Sequence, residues 1–443
     1  MPAPSPQSVG RGEGAGSPPL AAPTLAGAWP CLAREWDEVH LQPIAILFPG
    51  QGAQRPGMCA DLAADFPSAR RALEEVDEAL GMRVSRAMTA EPSDEAEAAL
   101  ARTQLAQPAL LAHSVAAERA LRAEIEGSRA ADAAPPAASP SRGLQLGPFG
   151  VVCAMGHSVG EYAALVAAGA LTLADAALVL RLRARAMQRA ADLARGATGM
   201  TALLFAAQRA ASEVAPSDAL ASLVGELGAS CAAASRELPS SGNVAAIAGV
   251  NSPQQVVISG HVIALERAVE AYNARAAAVA GTARHPPVRK AIRLPVGAPF
   301  HCSIMEPAAR SLRSIGLCNP AHDKVADDRR ELREHWDHEF EAAAAAALRL
   351  GALRAPVVSN TDASLLFHAD QVRPRLADSV TRPVLWAQSV LAAHAAGARH
   401  FLELGPGSAL ANLVRQTIPS ASVFSVGTTK ELRSYLGFLR KLC

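Results

Sequence analysis

Aromatic residues make up only 4% of this 443-residue chain, neither sign of charge is in excess, and long apolar runs are missing. Each lack excludes something. Lys+Arg number 42 against Asp+Glu 41, a formal charge of +1, whereas a nucleic-acid protein needs a net basic footprint. No stretch reaches the ~18 uninterrupted apolar residues of a membrane span. The nearest, residues 162–180, contains Thr172 and Asp175 and fits soluble helices better. The cysteines (Cys31, Cys59, Cys153, Cys231, Cys302, Cys318 and Cys443) are odd in number and never spaced C-x-x-C. That pattern supports neither a disulfide framework nor a zinc site, and a reducing compartment is expected. Residues 1–43 hold no compact apolar core of a secretory signal, because Pro18, Pro19, Pro23 and Pro30 break it up. There is no internal repeat.

What is present is alanine-rich apolar sequence: half of all residues are hydrophobic, enough for one large or two ordinary domains. Residues 1–43, rich in Pro, Ala, Gly and Ser, read as a flexible extension, and 126–147 and 315–352 as insertions. Ile44–Phe48 is an apolar run ended by Pro49-Gly50, a buried strand entering a tight turn. Helical patterns follow over residues 61–80 and 110–125. Residues 196–297 have a separate rhythm: strands TALLF (201–205), VAAIAGV (244–250), QVVIS (255–259) and RKAIRLPV (289–296), with a helix-prone stretch after the first, a turn at Asn251-Ser252-Pro253 and a helix over 261–275. That β-α-β-β-α-β order predicts a small ferredoxin-like subdomain inserted in a larger α/β body made of 44–195 and 298–443.

Residues 150–160 read GVVCAMGHSVG and run into the helix-like EYAALVAA. This is the G-x-S-x-G elbow in its strand–turn–helix setting, with Ser158 as nucleophile. On such a turn flanking side chains would clash, and the following helix aims its amide groups at developing negative charge. A serine needs a base. His157 adjoins Ser158 and points elsewhere on a tight turn, a structural position. His301, in GAPFHCSIM where the chain re-enters the large body, is open to either role.

The stretch 171–190 starts with Thr172 and Asp175 in capping spacing. Arg181, Arg185 and Arg189, four apart, form a stripe expected to face solvent. Arg183 differs: Val179, Leu180, Ala186 and Met187 surround it on the helix, so its charge lies on the apolar face. A guanidinium there must find an anion. It pairs with a core Asp or Glu, snorkels to the surface, or clamps a substrate carboxylate near Ser158.

FPGQGAQRPGM (48–58), TQLAQPALL (103–111), GHSVGEYAALVAAGAL (156–171), RARAMQ (183–188), NSPQQVVISG (251–260), PFHCSIMEPA (299–308), NTD (360–362), RPVLW (382–386) and ELGPG (403–407) stand in this order. The chain thereby resembles malonyl-CoA:acyl carrier protein transacylases over nearly all of 44–430. The resemblance implies an α/β-hydrolase-like large subdomain with a parallel sheet, a ferredoxin-like small one, and a site between them. It implies Ser158 as the acylated nucleophile, His301 as general base and Arg183 as holder of the malonyl carboxylate. The backbone N–H groups of Gln51 and Val159 would form the oxyanion hole, with Asn251 and Gln255 lining the cleft. Phe300 resembles malonyl-selective members. Where many members place a glutamine whose carbonyl orients the histidine, this chain has Ser379.

The implied reaction passes malonyl from malonyl-CoA to the phosphopantetheine thiol of acyl carrier protein, supplying fatty acid synthesis, with no metal or redox cofactor. Neither nucleic acid nor membrane is an expected partner, and a monomer is expected. The tail and insertions suggest a plastid or apicoplast-like organelle, with cytoplasm or mitochondrion as alternatives. Two other functions share parts of the pattern. A serine hydrolase or thioesterase has the elbow, but usually places an Asp or Glu between Ser and His in the chain and has no use for Arg183. A non-catalytic carrier-docking paralogue would not need Ser158, His301 and Arg183 together.

Overall fold

Ile44, Ile46 and Phe48 pack into one apolar cluster and Ala45 and Leu47 into another, and all five are fully buried. A strand apolar on both sides needs cover on both sides, which an α/β layer arrangement supplies. The structure, a computed structural model, describes residues 41–130, 144–206, 216–237, 243–278, 286–314 and 350–442. Most of the expected N-terminal extension and of both insertions therefore lies outside the described residues, as do Cys31, Cys318 and Cys443. Cys59, Cys153, Cys231 and Cys302 are buried free thiols.

The strands are β1 (Gln42–Phe48), β2 (Gln145–Leu146), β3 (Phe149–Gly156), β4 (Thr198–Phe205), β5 (Ala245–Ser252), β6 (Gln255–His261), β7 (Val288–Arg293), β8 (Val357–Val358), β9 (Leu365–Leu366), β10 (His400–Leu404) and β11 (Ser422–Val426). The large sheet has the order β11-β10-β1-β3-β8-β9, with β2 paired to β3. β11, β10, β1, β3 and β8 run parallel, while β2 and β9 are antiparallel to their neighbours. Helices Thr103–Ala130, Gly160–Ala167 and Leu173–Asp192 cover one face, and Trp386–Ala395 and Ala409–Thr417 the other. Among the described residues no helix is long and apolar enough to cross a membrane.

The second sheet is fully antiparallel in the order β5-β6-β4-β7, that is second-third-first-fourth along the chain, which is the ferredoxin-like arrangement. Its helices Pro216–Glu237 and Val262–Ala278 share a core with Leu203, Phe205, Val256 and Ile258. The sheet is joined to the large body through backbone: Val250 N–H donates to Val384 O at 2.9 Å, and Val384 N–H to Ala248 O at 2.9 Å.

Three local readings need correction. The turn between β5 and β6 falls at Pro253-Gln254, because Asn251 and Ser252 are still in strand. The pattern over 61–80 is two helices, Ala60–Asp65 and Pro67–Leu80, since Pro67 cannot continue the first and instead opens the second. The helix expected over 110–125 spans Thr103–Ala130 and runs straight through Pro108. That proline forfeits an intrahelical bond, while burial of Ala106, Ala109 and Leu110 around it holds the turn.

Candidate active site

Ser158 lies between β3 and the Gly160–Ala167 helix, on a turn that only glycine neighbours permit. A Cβ on Gly156 would stand 2.0 Å from the Gly160 carbonyl, and one on Gly160 would stand 2.2 Å from Phe48 O. Ser158 itself has φ of +52° and His301 +61°; Cys59 and Ala363 are the other non-glycine residues at positive φ among the described residues. Such backbone costs about 1–3 kcal/mol per residue and persists only where its surroundings enforce it.

The two strained residues face each other, Ser158 Oγ lying 2.8 Å from His301 Nε2. His301 Nδ1 faces the carbonyl oxygens of Ser379 at 2.8 Å and Arg382 at 3.1 Å. Carbonyls only accept, so Nδ1 carries the proton and the Nε2 lone pair is left for the Ser158 hydroxyl. The Ser379 hydroxyl is turned away and donates to Leu376 O. Serine in place of glutamine is therefore compatible with this contact, which uses main chain; the Arg382 carbonyl was not foreseen. Among the described residues no carboxylate stands behind the histidine, unlike the acid of a hydrolase triad. Burial and then the charge of Arg183 hold His301 far below its ordinary value, at about 3, against the opposing pull of the Ser379 carbonyl.

Arg183 is 1% exposed. Its Nη1 donates to Gln107 Oε1 at 2.8 Å and its Nη2 to Ser158 Oγ at 3.2 Å, while Nε has no acceptor. Among the described residues it pairs with no carboxylate, which removes the core ion pair, and its burial removes the snorkelling alternative. Glu161, buried in the first turn of the Gly160–Ala167 helix, is close enough to act on Arg183 electrostatically, yet burial raises its own carboxyl to about 8. The result is an unneutralised cation beside the nucleophile.

Of the two residues expected to form the oxyanion hole, Val159 follows Ser158 directly and Gln51 lies on the turn after β1. The Phe48–Gln51 turn is seated on the elbow through His157 N–H donating to Phe48 O at 3.0 Å, and Val159 precedes the helix as its N-cap. Asn251 and Gln255 sit one step further out. His157 Nε2 donates to Asn251 Oδ1 at 2.9 Å, and Asn251 Nδ2 to Gln255 Oε1 at 2.9 Å, a chain linking the small sheet to the elbow. Arg181, Arg185 and Arg189 are half-buried rather than a solvent stripe, and Arg181 donates to Leu80 O at 2.7 Å. The helix packs between neighbours, so its second face is also covered.

Three residues were missed. Gln107, within the quoted stretch 103–111 but given no role, lies in the Thr103–Ala130 helix ahead of the 110–125 pattern. Asn360, within a quoted motif but given no role, bonds directly to the elbow. Glu161, within a quoted motif but given no role, is buried through tertiary packing.

Residues 145–224 match the family profile described as the acyl transferase domain. The malonyl CoA-acyl carrier protein transacylase of Escherichia coli K12 is 30% identical over 392 residues, covering 88% of this chain and 98% of that one. The acyl-carrier-protein S-malonyltransferase of Bartonella henselae superposes with a TM-score of 0.65 at 28% identity, over 90% of this chain and all of that one. A malonyl-transacylase in complex with its type II PKS acyl-carrier protein gives a TM-score of 0.63 at 26% identity, again over 90% of this chain and all of that one. With near-complete coverage in both directions, and a serine–histidine pair beside a buried arginine at its centre, the chain belongs to the malonyl CoA-acyl carrier protein transacylase family.

Proposed function

We propose that this protein transfers a malonyl group from malonyl-CoA to the phosphopantetheine thiol of an acyl carrier protein through a malonyl-Ser158 intermediate. The observation that carries the reading is Arg183: a buried guanidinium with no acid partner among the described residues, an unused Nε donor, and Nη2 at 3.2 Å from the nucleophile. His301 Nε2 takes the proton of Ser158 as Oγ attacks the thioester carbonyl. The N–H groups of Gln51 and Val159 stabilise the oxyanion, a contribution of about 10²–10³ in rate for each donor lost. CoA thiolate leaves, taking the proton from His301. The carrier thiol then attacks the acyl-serine by the reverse sequence. Arg183 exchanges its contact with Ser158 for the malonyl carboxylate, whereas a neutral acetyl group leaves the cation unpaired.

Transfer of labelled malonyl to carrier-protein thiol tests the reading, with Arg183→Ala alongside and acetyl-CoA as competitor. Malonyl-serine on Ser158, transfer to the carrier and strong preference over acetyl in the wild type alone are expected. Release of free malonate faster than transfer would identify a hydrolase, and no Ser158 adduct a docking module.

A further inference from the structure

The nucleophile's strained turn is clasped from outside by one side chain. Asn360 Oδ1 accepts from Ser158 N–H at 2.7 Å, and Asn360 Nδ2 donates to Gly156 O at 2.8 Å. One amide thus bridges the residues on either side of His157, and it is itself buried. Its position is fixed by main chain: it lies two residues beyond the end of β8, and its carbonyl accepts from Leu385 N–H at 2.9 Å. That link is consequential, because Arg382, three residues before Leu385, supplies a carbonyl to His301 Nδ1. Nucleophile and base therefore hang from one continuous stretch of backbone, 379–385, the serine through Asn360 and the histidine through the carbonyls of Ser379 and Arg382.

Resting on the assignment of Ser158 as nucleophile, we propose that Asn360 is a positioning residue for acylation: it enforces the +52° φ of Ser158 and so holds Oγ on the His301 lone pair. Its bond also occupies the Ser158 N–H, which leaves the amides of Gln51 and Val159, and not that of the nucleophile, to face the oxyanion. An amide suits the task because it presents an acceptor and a donor with fixed separation. Alanine presents neither, and the turn relaxes toward negative φ, carrying Oγ off the histidine. Displacing a reacting atom by ~1 Å can cost about 10²-fold in rate.

The test is rapid-quench acylation by malonyl-CoA, scored as intact-mass adduct on Ser158, for the wild type, Asn360→Ala and Asn360→Asp, at a temperature where each is folded. Binding is measured separately by calorimetry in Ser158→Ala with and without Asn360→Ala. The expected result is an acylation rate about 10²-fold lower in Asn360→Ala, with malonyl-CoA affinity within about threefold in the binding pair, since the clasp touches no substrate group. Asn360→Asp, which keeps an acceptor for Ser158 N–H, falls between; if the alanine variant does not fold, this variant alone decides. A folded Asn360→Ala acylating within about threefold of wild type overturns the proposal, as does an affinity loss equal to the rate loss. Absence of any adduct in the wild type would instead refute the assignment of Ser158.

Discussion

Gln107 is a neutral side chain where a charged one would be the obvious companion for a buried arginine. A carboxylate in its place would satisfy Arg183 permanently and leave nothing for a substrate. Gln107→Glu is therefore expected to keep the fold and lower kcat/KM for malonyl-CoA by at least about tenfold, each ~1.4 kcal/mol of lost pairing being one factor of ten. Steady-state kinetics with malonyl-CoA and acetyl-CoA checks this, and an unchanged ratio between the two would contradict it. The same cation acts on His301. Because burial and Arg183 together hold the imidazole near 3, the free enzyme keeps its base deprotonated well below the ordinary 6.5. Acylation kcat/KM should accordingly stay flat from pH 7 to pH 5, where an unperturbed histidine would already be mostly protonated. Malonate bound to Arg183 removes the second of those two causes, so an NMR titration of His301 should move upward when malonate is added. No movement would detach the arginine from the carboxylate.

At the scale of elements, the elbow is set by close approach and the arginine helix by its cap. Gly156→Ala puts a methyl against backbone that cannot yield, at or beyond the upper end of the about 1–3 kcal/mol typical of overpacking. Thr172 Oγ1 accepts from Asp175 N–H at 3.0 Å, so Thr172→Ala should cost about 1 kcal/mol in chemical denaturation without changing substrate preference, the cap lying three turns from Arg183. Elements with strong periodicity, such as β1, the elbow and the Leu173–Asp192 helix, were legible because each satisfies its own pattern locally. The helix through Pro108 was not. Local rules end a helix there, and only the burial of the surrounding turn overrides them.

Over the whole molecule, buried ionisable groups set opposite pH limits on stability. Burial raises Glu161 to about 8 and Glu403 to about 7, above the ordinary 4.5 of the unfolded chain. Their contribution is complete below about pH 4.5 and is lost as pH rises through 7 to 8. His113 at about 4 and His301 at about 3 lie below the unfolded 6.5, so theirs is complete above pH 6.5 and is lost as pH falls toward 4 and 3. Stability should peak between about pH 4.5 and 6.5. Glu161→Gln should reduce the decline in Tm from pH 6 to 8.5 in thermal melts; an unaltered slope would place the titration elsewhere.

The sequence by itself determined the α/β body with its ferredoxin-like insert, the elbow serine, and the abnormal burial of Arg183, because each follows from short-range pattern: apolar period, glycine spacing, neighbours three and four residues away. Tertiary structure alone decided what those groups meet. Ser158 and His301 are 143 residues apart, Arg183 and Gln107 76, and Asn360 and Ser158 202. Those separations close only when the parallel sheet brings its strand ends together, and a long-range hydrogen bond made by a side chain leaves no periodic trace in either stretch of chain.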